Sequence, residues 1–168
     1  MRKINSGVNV KNKTLILGLG NELLGDDAAG VIAARQLRKR LGEKVKVIET
    51  SLAGLALLEI LIGYDQVIII DAIQTNKYPP GTIYELNDSD LDSVIAPSPH
   101  YAGIPEMLAL AQQLQLEFPK KIKIFALEVA DPYTIGKGLS KSVENAMESL
   151  INRVQDQVNN WLVPSYGE

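Results

Sequence analysis

The chain has 168 residues, 46% of them hydrophobic, which is enough for one domain with a layered core. Its formal charge of -3 argues against a general nucleic-acid binder, and no apolar run approaches the roughly 18 residues of a membrane span. There is no cysteine and a single histidine, His100, which together remove disulfides, thiolate zinc sites, iron–sulfur ligation, cysteine nucleophiles and HExxH zinc sites.

The first segment, MRKINSGVNVKNK, lacks the apolar core of a signal peptide, so a cytoplasmic location is expected, with 1–12 and 164–168 as flexible tails of a single domain spanning 1–168. Thr14 to Leu19 reads as a buried strand and Gly30 to Leu41 as a helix, with Val31, Ala34, Leu37 and Leu41 on its apolar face and Gly42 as its stop. The basic residues Arg35, Arg38, Lys39 and Arg40 read as that helix's solvated face. Between strand and helix lies a turn that holds two adjacent carboxylates, Asp26 and Asp27. Such a turn falls at the carboxyl edge of a parallel sheet, where a helix amino terminus normally receives a ligand's anion. A protein that supplies its own anions there favours a cation, or simply caps its helix with Asp26 or Asp27.

A dinucleotide reading is weighed at the same turn. Gly18 and Gly20 match the first two glycines of GxGxxG, and Glu49, at the end of the apparent strand KVKVIET, stands where a ribose-binding acid would be. However, Leu23 occupies the third glycine position, and Asp26 and Asp27 would repel a pyrophosphate. The ordinary alternative is a tight strand-to-helix turn.

Further along, LAGLALLEILIG reads as a short apolar helix, and DQVIIIDAI as a strand buried on both faces. GTIYEL, after Tyr78-Pro79-Pro80, reads as a further short strand and a candidate antiparallel edge. Ile104, Met107, Leu110, Ala111 and Leu114 mark a helix, and KKIKIFALEV a strand. A long closing helix runs through Val143, Met147, Leu150, Ile151, Val154, Val158 and Trp161, with Ser140 as its expected cap. Met107, Met147 and Trp161 lie on apolar stripes and are expected in the core. The alternation predicts an α/β fold, a three-layer sandwich in which a mostly parallel twisted sheet carries helices on both faces.

Three loops of that fold could meet on one edge. Asp27 follows the first strand, Asp71 ends the run VIIID, and His100 lies in the loop APSPHYAG. Two carboxylates and one imidazole make an incomplete donor set for a divalent transition metal, open to exchangeable ligands. Each residue also has an ordinary explanation: a cap, a strand-end carboxylate bonded to loop amides, a surface imidazole.

The segments GLGNELLGDDAAG, the AG of SLAGLALLEIL, IIIDAI, PPGTIYEL, SPHYAGIPEMLALA and FALEVADPYTIGKGLSKSV occur in this order. From Leu15 to about Met147 the chain thereby resembles the nickel-iron hydrogenase maturation endopeptidases. The resemblance puts the family's three metal-contacting positions on Asp27, Asp71 and His100. It implies a metal-dependent endopeptidase that removes the carboxy-terminal extension of a hydrogenase large-subunit precursor after nickel insertion. The metal would be the substrate's own nickel, with zinc or cadmium as substitutes in vitro, and the enzyme a monomer without nucleic-acid or membrane partners. No nucleophilic side chain is evident. The sequence departs from the family at position 27, Asp where Glu is frequent, at Ala28, where Gly is frequent, and at Val129, where Pro is frequent; Glu128 beside it is a supporting candidate only. A non-proteolytic nickel carrier for the large subunit is the alternative from another class, and a dinucleotide-binding oxidoreductase the alternative enzyme.

Overall fold

A computed structural model describes residues 13–87, 90 and 104–163. The expected tails and His100 therefore lie outside the described residues. Five strands form one sheet: β1 (Thr14–Leu19), β2 (Lys46–Thr50), β3 (Gln66–Ile73), β4 (Ile83–Asn87) and β5 (Lys121–Glu128), in the order β2-β1-β3-β5-β4. The pairs β1–β2, β1–β3 and β3–β5 are parallel, while β4 closes the edge antiparallel to β5. The α/β expectation, including the antiparallel edge, holds.

Four helices cover the two faces: α1 (Ala29–Leu41), α2 (Leu58–Leu61), α3 (Ile104–Gln113) and α4 (Lys141–Leu162). β3 is buried along its whole length, as its unbroken apolar run requires, and its alternate residues feed two cores. Ile68, Ile70 and Ala72 pack with α1 and α4 through Ala33, Leu37, Leu150 and Val154. Val67, Ile69 and Ile73 pack on the other face with Leu57 and Leu61 beside α2, and with Met107 of α3. Met147 is also buried, and Trp161 packs at the margin of the first core. The apolar stretch before β3 departs from expectation: it begins as a 3-10 turn, Gly54–Leu57, and only one turn of α-helix follows. Gly54 takes a positive φ of 56°, so the α-helix starts only after it.

The helix α1 is set unusually close to the sheet. A methyl group at Gly18 would lie 2.5 Å from the Cβ of Ala34, and one at Gly30 would lie 2.3 Å from the carbonyl oxygen of Leu19 and 2.5 Å from that of Ile70. Two glycines thus let the first turn of α1 rest on the carboxyl ends of both β1 and β3. Of the two glycines that hinted at a nucleotide fingerprint, Gly18 serves this packing instead.

Gly30→Ala is expected to cost about 3 kcal/mol or more in urea unfolding, because backbone oxygens on two strands would have to move. Gly138→Ala, whose added methyl would meet nothing within 4 Å, should stay within about 0.5 kcal/mol of the wild type.

Candidate functional site

β1 is the strand at which the winding of the sheet reverses, with β2 on one side and β3 on the other. The crevice outside the carboxyl ends of β1 and β3 is therefore the switch point, the common place for a site in an open α/β sheet. Asp27 and Asp71 are both brought there by backbone. Gly18 pairs with Ile70 across the two strands, so Asp71 lies one residue beyond that pair at the end of the ladder. By alternation with Val67 and Ile69 it belongs to the face covered by α2 and α3. Its carboxylate is fully buried, and Oδ1 accepts a hydrogen bond from the Ala72 amide at 2.8 Å.

Asp27 ends up over the same crevice because of a tight turn. Gly20 has φ 138°, and a Cβ there would fall 1.9 Å from the carbonyl oxygen of Asp27 and 3.6 Å from its Oδ2. Only glycine allows the 3-10 turn Gly25–Ala28 to fold back so closely on the strand end. The amide of Asn21 donates to Asp27 Oδ2 at 2.7 Å, which fixes a half-buried carboxylate beside the end of β1. Neither Asp26 nor Asp27 is the cap residue of the following helix: that position is Ala28, which makes no side-chain capping bond. The capping expectation is corrected on this point.

Asp26 has a different task from its neighbour. It is 1% exposed, its Oδ2 accepts from the amides of Ala130 and Asp131 at 3.0 Å each, and its Oδ1 accepts from the amide of Ser140 at 2.6 Å. Its own amide donates to the Asp131 carbonyl at 2.9 Å. One carboxylate thereby ties both ends of the segment joining β5 to α4 to the turn that holds Asp27. These partners stand 104 to 114 residues away, so no local pattern announces them. Ser140 does occupy the cap position of α4, but its hydroxyl makes no capping bond and has no hydrogen-bond partner; its amide is taken by Asp26.

Glu128, at the end of β5, holds a second loop. It is buried and accepts from the amides of Thr75 and Asn76, from the Thr75 hydroxyl at 2.6 Å and from the Tyr84 hydroxyl at 2.8 Å. Burial pushes its carboxyl upward, but the Thr75, Tyr84 and Asn76 bonds outweigh it and leave the group below the ordinary 4.5. Glu128 thus fixes the segment that follows β3 and Asp71. Asp131 organises the neighbouring loop: bonds from Thr134, Tyr133 and Lys137 lower its carboxyl to about 2.

Glu49, the candidate ribose ligand, is taken by two guanidinium groups, Arg35 and Arg38, each at 2.6 Å. Arg35 and Arg38 are therefore ion-pair partners of the second strand as well as part of a solvated face. Arg35 reaches Glu22 as well, also at 2.6 Å. Among the described residues, no group of three or more His, Asp or Glu side chains gathers as a metal cluster. The structure brings Asp27 and Asp71 to one crevice, and the third expected donor, His100, precedes α3 in sequence outside the described residues. No helix among them is long and apolar enough to cross a membrane.

Asp26→Asn is expected to destabilise the fold by about 2 kcal/mol, since either amide orientation sets an N–H against an N–H donor, whereas Asp27→Asn should unfold within about 0.5 kcal/mol of the wild type. Urea unfolding of the two variants separates the roles. For Glu128 the folded carboxyl lies below its unfolded value. Its contribution is complete above about pH 4.5 and fades as pH falls through the folded value. Glu128→Gln should therefore flatten the acid limb of the stability–pH curve.

The matches to known proteins agree with this architecture. The HycI model, described as hydrogenase maturation protease, matches residues 31–157, a span that includes Asp71 and His100 and begins just past Asp27. The hydrogenase 2 maturation protease of Escherichia coli (strain K12) is 34% identical over 148 residues, covering 84% of this chain and 88% of that protein. The solved structure of the hydrogenase maturating endopeptidase HybD from E. coli superposes with a TM-score of 0.75 at 30% identity, over 88% of this chain and 93% of the other. HybD from Thermococcus kodakarensis, a [NiFe] hydrogenase maturation protease, gives a TM-score of 0.67 at 25% identity, over 87% and 99%. The chain belongs to the hydrogenase maturation protease family, whose members act as peptide-bond hydrolases in hydrogenase maturation.

Proposed function

We propose that this protein removes the carboxy-terminal extension of a nickel-iron hydrogenase large-subunit precursor, and that it reads the nickel already inserted in that substrate through Asp27, Asp71 and His100. The observation that supports the reading is the placement of two carboxylates at the β1–β3 switch point, a buried one on β3 and a half-buried one on the turn after β1. Asp27 is held by the Asn21 amide and Asp71 by the end of β3, so the two oxygens need little reordering when an ion arrives. Carboxylate and imidazole suit a divalent ion of intermediate softness, and a donor set of this size leaves positions for ligands that the substrate brings. Zinc or cadmium fits the same donors in vitro.

The nickel is part of the substrate in this scheme. Once seated, it polarises the scissile carbonyl or lowers the pKa of an attacking water, and the chain's own residues fix its position. Asp26 and Glu128 act at one remove. They anchor the loops on either side of the crevice, from β5 to α4 and from β3 to β4. The substrate is an internal peptide bond of a folded partner, and the protein works in the cytoplasm as a monomer, where the precursor is made.

Enzyme purified without added metal is expected to cut the nickel-loaded precursor and to leave the nickel-free precursor intact, even after preloading with zinc. Asp71→Ala and His100→Ala should each lower processing about 100-fold or more, with circular dichroism spectra like the wild type. Intact mass of the precursor before and after incubation reads the result. Efficient cutting of the nickel-free form would leave an ordinary metallopeptidase, and unchanged precursor mass with retained nickel transfer would identify a carrier.

A further inference from the structure

The segment between β5 and α4 is firmly held yet turns its largest apolar side chains to water. Asp26 pins both ends, Asp131 bonds to the amides of Tyr133 and Thr134, and an antiparallel bridge joins Ile135 to Leu24, with the Gly136 amide donating to the Leu23 carbonyl at 3.0 Å. Tyr133 is nonetheless 74% exposed, Ile135 78% and Leu23 67%. Ordering apolar groups in water adds nothing to folding, so a patch of this kind signals a partner. Exposure is also not scattered. Of the ten large hydrophobic side chains exposed among the described residues, six ride on segments leaving the carboxyl ends of the parallel strands: Leu23, Leu52, Leu55, Tyr78, Tyr133 and Ile135. That is the edge carrying Asp27 and Asp71.

The patch is tied to the site, because the Leu24–Ile135 bridge joins its segment to the turn that carries Asp27. On that turn Leu23 lines an open cleft of about 380 Å³ together with Asn21, Val31, Thr50 and the acidic residues Glu22 and Glu49. Asn21 is the residue whose amide holds Asp27, so a chain lying at Asp27 meets this cleft directly.

We propose that Tyr133 and Ile135 dock an apolar segment of the precursor polypeptide next to its scissile bond, a specificity surface that rests on the proteolytic reading above. A second copy of this chain seated there would close the edge that a protease must leave open to its substrate. Rigid, pre-ordered apolar anchors also lower the entropic cost of capturing an extended chain.

The test measures binding of the purified protein to immobilised, nickel-loaded hydrogenase large-subunit precursor, together with cleavage kinetics. The double variant Tyr133→Ser with Ile135→Ser is expected to weaken Kd and raise KM about tenfold, with kcat within about twofold of the wild type. Leu114→Ser, an exposed leucine at the far end of α3, should change neither. Should the double variant lose its folded spectrum, Ile135→Thr gives the same comparison with a smaller change. Unchanged Kd and KM overturn the proposal, as does absence of wild-type binding. Self-association of the wild type in sedimentation that the double variant abolishes, with Kd for precursor unchanged, would assign the patch to a second copy and overturn it too. Binding that depends on these residues without any cleavage would uphold the docking surface and sink the proteolytic reading alone.

Discussion

The absence of a Cβ at Gly18, Gly20 and Gly30 is the constraint on which the site depends. A methyl at any of the three would lie within 2.5 Å of an atom from the turn, the helix or a neighbouring strand. With hydrogen there instead, α1 begins directly over the ends of β1 and β3, and the residues just before it are pressed into the switch-point crevice. The carboxylate of Asp27 is thus positioned by this packing together with the bond it accepts from the Asn21 amide.

Two adjacent aspartates then divide the work. Asp26 turns inward and accepts bonds from Ala130, Asp131 and Ser140, while Asp27 stays half-buried beside Asn21. A fully buried carboxylate is tolerable only when its lone pairs are met, and here backbone amides meet them. The arrangement makes the β1–α1 turn and the β5–α4 segment one unit. Glu128 does the equivalent on the other side, where Thr75, Asn76 and Tyr84 converge on one carboxylate.

Much of the architecture was legible in one dimension. The unbroken apolar runs of β1 and β3 and the 3.6-residue stripe of α4 are local signals that gave element type and layer order, and Pro79-Pro80 marked the edge strand that follows. Local signals misled where tertiary partners took over. Asp26 and Asp27 sit where a cap belongs, but each carboxylate had a stronger claim elsewhere. Ser140 stands in the cap position of α4, but Asp26 accepts a hydrogen bond from its amide, and its hydroxyl makes none. Glu49 resembled a ribose ligand until Arg35 and Arg38 claimed it.

The sequence by itself determined the α/β class, the turn that carries Asp27 and the strand that carries Asp71, and, through six motifs in order, the family. These follow from spacing and residue type, which a linear chain displays openly. Only the tertiary structure decided that Asp26 turns inward to hold the β5–α4 segment, that Glu128 holds the loop after β3, and that the segment carrying Tyr133 and Ile135 is bridged to the turn that holds Asp27. Those outcomes rest on hydrogen bonds and bridges between residues 53 to 114 positions apart. Contacts at that separation are set by how the sheet closes and where a helix is allowed to rest, and neither is encoded within any one segment.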